Sequence, residues 1–463
     1  MKKYILTALF GLAVLSAGAQ GLSLNECLQM ARSNDAYLQN SNLDVLAAKE
    51  QLKEARWEYF PRVQATGFGF YAKDPLMELT IRSTGLLDFM TKGNDPVMTP
   101  DELEEAVGED MDTPLASFIK KGYTAGVSAI QPIYAGGRIT SGNRLAKLGV
   151  DAAKLQNERK TDETEATVEE KYWLVVSLQE KVSTLNQGRE LLDTLYKDAQ
   201  SAIDAGVLAE SEMLQLLVKK SELESLDIQL TNGIRLAKMD LFNAIGQKFS
   251  YQGSDPDAPD IDSLYLSDGF DAIQDPYDLF VSENEAPRSA ESQLLEMQVE
   301  AKELQKKLNV GELLPTVAVG ASFSNSHYND RIDPKSNLIG FVLVQIPITD
   351  IGKATHMSRR YDLARMQAQN EKDYLDNQLD LQLRKFWLDL TSSYEDMKAS
   401  DKAVCAASRT VDQLMQKYDA GMVPASEILK ARLELRNLTD AQTEKRITYL
   451  KNLSVWKRRT QKN

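Results

Sequence analysis

The balance of charge limits what this chain can bind. Its 463 residues include 68 acidic and 54 basic side chains, which give a formal charge of −14 at pH 7. A chain this acidic is unsuited to nucleic acid, whose phosphates attract clusters of lysine and arginine. Two cysteines, Cys27 and Cys405, are too few for a disulfide framework, and we expect both to be buried thiols.

The chain opens with the pattern of a secretory signal peptide. Lys2 and Lys3 precede a short apolar run, which ends at the small residues "AGA" of a cleavage site. We therefore expect residues 1–19 to be removed from an exported protein. The run is too short to span a bilayer, and the sequence predicts no transmembrane helix after it.

The first half of the chain predicts a helix, two strands, a long helix and a return helix. The first helix, over about 22–60, begins with the capping-box sequence "SLNE" and ends before Pro61. Alternation of apolar and polar residues then predicts strands over 62–71 and 123–133. A glycine turn at Gly136 leads into a helix of about 65 residues, roughly 100 Å long.

The second half predicts the same elements in the same order. A helix over about 287–314 ends before Pro315, and strands are predicted over 316–325 and 337–347. A turn containing Gly352 and a second long helix follow, and a return helix completes the set. The order of elements is therefore repeated along the chain.

A pair of matching motifs shows that the repeat is a duplication. "DAGVLAESEML" begins at Asp204, and "DAGMVPASEIL" begins 215 positions later (421 − 206 for the glycines) at Asp419. Self-similarity of this kind indicates tandem repeats. We assign the repeats to 20–249 and 286–463, joined over 250–285 by an acidic linker with little core of its own.

The predicted strands raise a problem of closure. Each is long enough to span a membrane, but four strands cannot close a barrel, and an open sheet is not viable in lipid. Either several chains combine into one barrel, or the strands form a soluble patch on a helical protein. Aromatic residues near the strand ends suit interfacial girdles. They are Trp57, Tyr59, Phe60, Phe70, Tyr71, Tyr123 and Tyr134.

The ordered set of elements resembles the TolC family of outer-membrane channel (outer membrane efflux) proteins. The resemblance covers nearly the whole mature chain and rests on "LSLNECLQMARSNDAYLQ", "PIYAGGRI" and the pair "AGVLAESEML" and "AGMVPASEIL". It implies a mainly α homotrimer with a twelve-stranded barrel, four strands per chain, in outer-membrane lipid of a Gram-negative bacterium. Tandem duplicated α-helical hairpins would form a periplasmic tunnel, and the enlarged acidic connection over 73–121 would be extracellular.

The resemblance also assigns roles to the two repeated turns. In the family such turns are the periplasmic tips of the tunnel, which dock a periplasmic adaptor protein and, through it, an inner-membrane transporter. The matching positions are Gly206, Val207 and Leu208 in the first turn, and Gly421, Met422 and Val423 in the second. The alternative is that both are ordinary turns between antiparallel helices.

Just beyond the tips, the resemblance implies a gate. Glu212 and Glu427 would form rings of like charge in the narrow part of the tunnel, with Lys430 and Arg432 as candidate ion-pair partners. Some family members carry a second acidic residue where this chain has Lys430, which leaves the preference for cations open. The alternative is that both glutamates only stabilise the starts of their helices.

Catalytic signatures are missing from the sequence. His327 and His356 are the two histidines, neither has a metal-ligand partner at helical spacing, and no nucleophile elbow or phosphate-binding loop is present. We expect no enzyme activity and no cofactor. The expected function is the exit duct of a tripartite efflux system. The alternatives are a duct for type I protein secretion and an exported coiled-coil scaffold of the envelope.

Overall fold

The structure is a computed structural model that describes most of the chain in two units. It describes residues 21–73, 77–81, 113–118, 121–204, 210–251, 258–268, 273–282, 286–327 and 334–461. The helical unit comprises the described parts of Met1–Lys49, Leu148–Glu300 and Met366–Asn463. The sheet unit comprises those of Glu50–Lys147 and Ala301–Arg365. The predicted signal peptide lies outside the described residues.

Four strands of the sheet unit form one antiparallel sheet. They are β1 (Arg62–Tyr71), β4 (Lys121–Ala135), β5 (Thr316–His327) and β6 (Lys335–Gln345), in the order β1-β4-β5-β6. Each half of the chain thus supplies two neighbouring strands, as the alternation of apolar and polar residues predicted. The predicted bounds differ from the observed ones by only a few residues at each end.

A second, smaller sheet was not predicted from the sequence. Strands β2 (Met77–Ile81) and β3 (Thr113–Phe118) pair antiparallel, with an irregular register between Leu79 and Thr80. Both lie in the connection over 73–121 that the sequence treats as one loop. Residues 82–112 of that connection lie outside the described residues.

Helices make up the rest of the regular structure. They are α1 (Leu24–Asn34), α2 (Ala36–Trp57), α3 (Arg138–Asp204), α4 (Glu210–Ala244), α5 (Ala290–Gly311), α6 (Asp350–Asp419) and α7 (Ala425–Thr460). The long helices α3 and α6 have 67 and 70 residues. Among the helices of the described residues, none combines the length and apolar character that crossing a membrane requires.

The start of α1 has the predicted capping box. The Ser23 backbone N–H donates to Glu26 Oε2 at 2.9 Å, and the Glu26 N–H donates to Ser23 Oγ at 3.3 Å. The expectation of one helix over 22–60 was wrong, because Asp35 adopts an extended conformation (ψ 124°) between α1 and α2. Its carboxylate then accepts the Leu38 N–H at 2.8 Å, which satisfies a free donor at the start of α2.

Glycine controls the turn from β4 into α3 but not the turn from β6 into α6. Gly136 has φ +60°, and a Cβ there would lie 2.3 Å from the Gly311 carbonyl oxygen. No side chain fits so close to another backbone. Gly352, by contrast, lies inside the first turn of α6, so the expectation that it forms a turn was wrong.

Apolar side chains of the helical unit are buried within a single chain. One cluster joins α1, α3, α4 and α7, a second joins α6 and α7, and a third joins α3 and α4 close to the ends of α6 and α7. The largest side chains with almost no exposed surface include Tyr172, Leu185, Leu390, Tyr449 and Trp456. The unit therefore has a core of its own, without a second copy.

The expectation that the acidic linker contributes little core was wrong for its described residues. Ile261 and Pro276 are buried. Trp456 Nε1 of α7 donates to the Leu279 carbonyl oxygen at 2.9 Å, and the Tyr394 hydroxyl of α6 donates to Asp275 Oδ2 at 3.2 Å. Parts of the linker are thus packed against the long helices.

The two cysteines are not paired, and they differ in exposure. Cys27 is buried in α1, and burial raises the pKa of its thiol to about 12. Cys405 is exposed on α6. The expectation of two buried thiols is confirmed for Cys27 and wrong for Cys405.

Candidate functional site

The register of the large sheet gives it an apolar face. Strand pairing places Val63, Ala129, Ala321 and Gly340 in one row across all four strands. Because side chains alternate between faces along a strand, every second residue from this row shares its face. The apolar face comprises Val63, Ala65, Val127, Ala129, Val317, Val319, Ala321, Phe323, Leu338, Val342 and Val344. Leu338 is 72% exposed and Val342 68% exposed.

The opposite face is rich in hydroxyl and amide groups. This hydroxyl face carries Gln64, Thr66, Thr124, Ser128, Ser322, Ser324, Ser326 and Asn337. The same face also carries the apolar residues Phe68, Phe70, Ile130, Ile339, Phe341 and Leu343. Thr124 Oγ1 and Ser326 Oγ lie 2.6 Å apart and share a hydrogen bond. From 121 to 127 in β4, odd-numbered residues are exposed and even-numbered residues are half-buried. The central strands β4 and β5 are therefore more exposed on the apolar face, whereas the edge strands β1 and β6 are exposed on both faces.

Tyrosines border the apolar face at both ends. Tyr123 is paired with His327 at one end, and Tyr134 with Val317 at the other, ten residues apart along β5. At about 3.4 Å per residue and a tilt of about 45°, these rows are separated by about 24 Å along a membrane normal. That spacing matches the apolar band of a membrane barrel, about 25 Å tall between its aromatic girdles.

The girdle prediction was wrong for Phe70. Tyr71 lies on the apolar face, since it follows Val63 by an even number of residues in β1. Phe70 is one residue away and therefore lies on the hydroxyl face. The sequence showed that β1 ends in aromatic residues. Alternation along β1 alone could not show which of them lie on the apolar face, because that depends on the register with β4. Trp57, Tyr59 and Phe60 precede β1 and are exposed.

Both edges of the large sheet are open. Within the described residues, β1 pairs only with β4, and β6 pairs only with β5. Each edge therefore presents unpaired backbone N–H and C=O groups, which are costly in water-free surroundings. The described sheet thus combines one apolar face with two edges whose backbone groups have no strand partner.

The second hairpin turn has a defined geometry. The Gly421 N–H donates to the Tyr418 carbonyl at 2.8 Å, and the Met422 N–H donates to the Lys417 carbonyl at 2.8 Å. These two bonds form a Schellman motif, which requires the left-handed backbone that Gly421 adopts (φ +69°). The motif leaves Met422 76% exposed.

The turn also shapes the environment of Glu427. Pro424 is the N-cap residue of α7, and Glu427 is the third residue of that helix. Glu427 cannot complete a capping box, because proline has no backbone N–H to donate. Its carboxylate is exposed, and within the described chain it forms no ion pair with Lys430 or Arg432. The pairing expected of these residues stays a prediction for the assembled protein.

Arg432 lies in a cavity that the sequence did not reveal. The cavity measures about 320 Å³, and α3, α4 and α7 line it with leucines and with polar residues that include Arg432 and Arg436. The Nε atoms of both arginines are buried and have no hydrogen-bond partner among the described residues. The spacing of the two arginines, four residues apart between leucines, was the available signal.

The first hairpin turn is only partly described. Gly206, Val207 and Leu208 lie outside the described residues. Glu212 is the third residue of α4, as Glu427 is the third of α7. The side chain of Glu212 lies outside the described part.

Histidines and acidic residues form no metal-binding arrangement in the part of the chain that the structure describes. His327 ends β5, with its ring centroid 5.8 Å from that of Tyr123. His356 lies in α6 and is well separated from His327 in sequence.

Comparison with known proteins identifies similar chains. Residues 27–247 match the family model described as outer membrane efflux protein. A search of curated protein sequences finds no match. Among solved structures, the outer-membrane channel OprN is 15% identical, with a TM-score of 0.69, over 94% of this chain and 89% of OprN.

Two further channels from named organisms have the same fold. The Campylobacter jejuni outer membrane channel CmeC is 14% identical, with a TM-score of 0.66, over 94% of this chain and 85% of CmeC. The Neisseria gonorrhoeae outer membrane channel MtrE, in its open state, is 13% identical, with a TM-score of 0.64, over 94% of this chain and 88% of MtrE. At such identities the likeness concerns the fold.

Proposed function

We propose that this chain, whose residues 27–247 match the outer membrane efflux protein family, is a member of that family and that three copies of it form the exit duct of a tripartite efflux system. The resemblance and the fold class predicted from sequence are confirmed. The proposal makes the protein an efflux-type channel of the Gram-negative outer membrane rather than an enzyme. It extends to the number of copies, the partner proteins and the route of the substrate.

The observation that carries the proposal is the sheet with one apolar face and two open edges. In lipid, the apolar face would contact acyl chains, and the hydroxyl face would contact water in the lumen. The edges of β1 and β6 would each pair with the opposite edge of a neighbouring copy, which leaves no unpaired backbone. Three copies with four strands each would close a barrel of twelve.

The exposed hairpin turn supports contact with a periplasmic adaptor protein. Met422 is held out by a rigid Schellman turn and presents its flexible thioether side chain to solvent. An exposed apolar residue beside a tight turn provides area for docking. With the turn that the sequence predicts at Gly206 to Leu208, three copies would present six tips to an adaptor that leads to an inner-membrane transporter.

The free carboxylate of Glu427 supports a gate at the same end. In a trimer, three Glu427 side chains and three Glu212 side chains would face one axis and repel one another. Lys430 and Arg432 of neighbouring copies would offset the repulsion in a closed state. The repeat boundaries at 20–249 and 286–463 would give each copy one tip and one gate glutamate from each repeat.

The mass of the purified protein in detergent tests the proposal. We expect one species with the mass of three copies, and ion conductance when it is added to planar lipid bilayers. A monomer that keeps all its β structure would contradict the closure argument. A protein that is stable without detergent would instead favour an envelope scaffold.

A further inference from the structure

Two phenylalanine rings lie on the face of the sheet where water is expected. Phe68 and Phe70 are alternate residues of β1, and their register partners are Thr124 and Gly122 of β4. Both therefore lie on the hydroxyl face, opposite Tyr71. Their ring centroids are 5.9 Å apart with an angle of 25° between the planes, so the rings are stacked.

The two rings differ in exposure, because Phe70 is half-buried and Phe68 is the more exposed of the pair. Phe68 is 65% exposed. Gly122, opposite Phe70, has no side chain that could cover the ring. A large exposed apolar ring costs free energy in water and is expected to have a reason. The apolar face offers no such reason, since it lies on the other side of the sheet.

We propose that Phe68 and Phe70 form a contact site for planar aromatic substrates on the wall of the channel, near the end of the barrel away from the helices. The inference rests on the proposed function, because it needs the hydroxyl face to line the lumen. It deepens that function by naming the chemical class of the substrate. In a trimer the site is present three times around the lumen.

The chemistry beside the rings specifies the substrate further. The hydroxyl groups of Thr124 and Ser326 lie in the same row as Phe68 and are hydrogen-bonded to each other. Each hydroxyl group could form a hydrogen bond to a substrate instead. Within the described strands, the hydroxyl face carries Arg62 and Lys335 but no carboxylate, so a cation gains nothing from charge there. Stacking on a ring and hydrogen bonding to hydroxyls together fit planar aromatic molecules with polar groups.

Block of the open channel in planar bilayers tests the site. The probes are ethidium, a planar aromatic cation, and tetrapropylammonium, a cation of the same charge without a ring. For Phe68→Ser with Phe70→Ser, we expect half-block by ethidium to need about fivefold more probe than in the wild type. Block by tetrapropylammonium should stay the same.

Matched variants separate aromatic recognition from other effects. Tyr71→Ser removes the neighbouring ring on the opposite face and should leave ethidium block unchanged. Phe68→Leu with Phe70→Leu keeps apolar volume without a ring, and it should weaken ethidium block as much as the double serine variant does. If the double serine variant does not assemble, the double leucine variant tests the inference in its place.

Three results would overturn the inference. The first is equal ethidium block in the wild type and the leucine variant, as expected if a neighbouring copy covers the rings. The second is an equal change in Tyr71→Ser. The third is a conducting wild-type channel that ethidium does not block. A wild-type protein that forms no channel would overturn the proposed function itself and is recognised before any probe is added.

Discussion

The helical unit and the sheet unit place their apolar residues in opposite ways. In the helical unit Leu185, Leu390 and Trp456 are at most 1% exposed within one chain. In the sheet unit Leu338 and Val342 are about 70% exposed (72% and 68%) and form part of a continuous apolar face. The contrast teaches that one chain completes the helical core, whereas it leaves the apolar face of the described sheet exposed and its two edges without strand partners.

The backbone shows the same contrast. A helix satisfies its N–H and C=O groups internally, so each long helix needs only a partner for its apolar stripe. A sheet satisfies them between strands, so β1 and β6 stay incomplete in a single chain. Substitutions in the helical unit and in the sheet unit should therefore have different effects on folding, membrane insertion and assembly.

A charge in the middle of the apolar face should have the largest effect. Ala321 lies midway between the two tyrosine rows, and Ala321→Lys would place a cation in each copy at the centre of the bilayer. The cost is about 2–4 kcal/mol per copy, and we expect the protein to be lost from the outer-membrane fraction. Ser322→Lys, one residue on and facing the lumen, should still insert. Equal insertion of both variants would refute the assignment of faces.

Loss of a core side chain should have a smaller effect that is confined to the helical unit. Trp456 is 1% exposed and donates a hydrogen bond to the Leu279 carbonyl. Trp456→Ala should lower the free energy of unfolding by about 3–5 kcal/mol, measured by denaturant with helical circular dichroism. Trp456→Phe keeps a ring and loses mainly the hydrogen bond, for about 1 kcal/mol. Matching losses in both variants would show that packing at this site contributes little.

A charge on the exposed turn should leave stability almost unchanged and impair function. Met422→Asp alters a residue that is 76% exposed, so the unfolding free energy should change by less than about 0.5 kcal/mol. Efflux should nevertheless fall, because new charges would have to be desolvated at the adaptor interface. Met422→Leu is the control, and both should be compared by substrate accumulation in cells. Normal efflux with Met422→Asp would argue against docking at this turn.

The smallest effect is expected at the gate. Glu427→Gln removes a charge and keeps the shape of an exposed side chain, so folding and trimer formation should be unaffected. In planar bilayers we expect lower selectivity for cations, and the difference from the wild type should shrink in about 1 M salt, where charges are screened within about 3 Å. Unchanged selectivity at low salt would leave Glu427 as a helix-start carboxylate.

Much of the fold followed from local patterns in the sequence. Alternation predicted the four strands of the large sheet, proline predicted the helix ends, and "SLNE" predicted the capping box at Ser23. These signals are contained in a few neighbouring residues. The duplication was visible because the same short turn motif occurs in both halves, and the motif again depends on local chemistry at Gly421.

Features that depend on distant residues could not be predicted. The linker packs against the long helices because Trp456 and Tyr394 donate hydrogen bonds to its backbone and to a carboxylate. The sequence near residue 275 does not indicate these contacts. The face of Phe70 depends on the register with β4, which the sequence of β1 alone does not contain. The cavity beside Arg432 arises where three helices meet, and the spacing of Arg432 and Arg436 alone does not reveal which helices line it.

Cross-linking of the two sheet edges tests the central claim most directly. Thr66 of β1 and positions 337, 339, 341 and 343 of β6 share one face at opposite edges of the sheet. Because closure of a tilted barrel staggers its strands, Thr66→Cys is combined in turn with a cysteine at each of these β6 positions, and the combination that meets between copies is the edge pair. Every variant also carries Cys405→Ser, which removes the exposed native thiol. A bifunctional thiol reagent is then added to membranes that contain the protein. As a control, cysteines at Ser128 and Ser322, which are direct partners in β4 and β5, should link only within one chain.

We expect the edge pair to give covalent dimers and trimers with no larger product, because three copies complete the wall. Monomers alone, or a ladder that continues beyond three copies, would contradict a closed trimer built from β1 and β6.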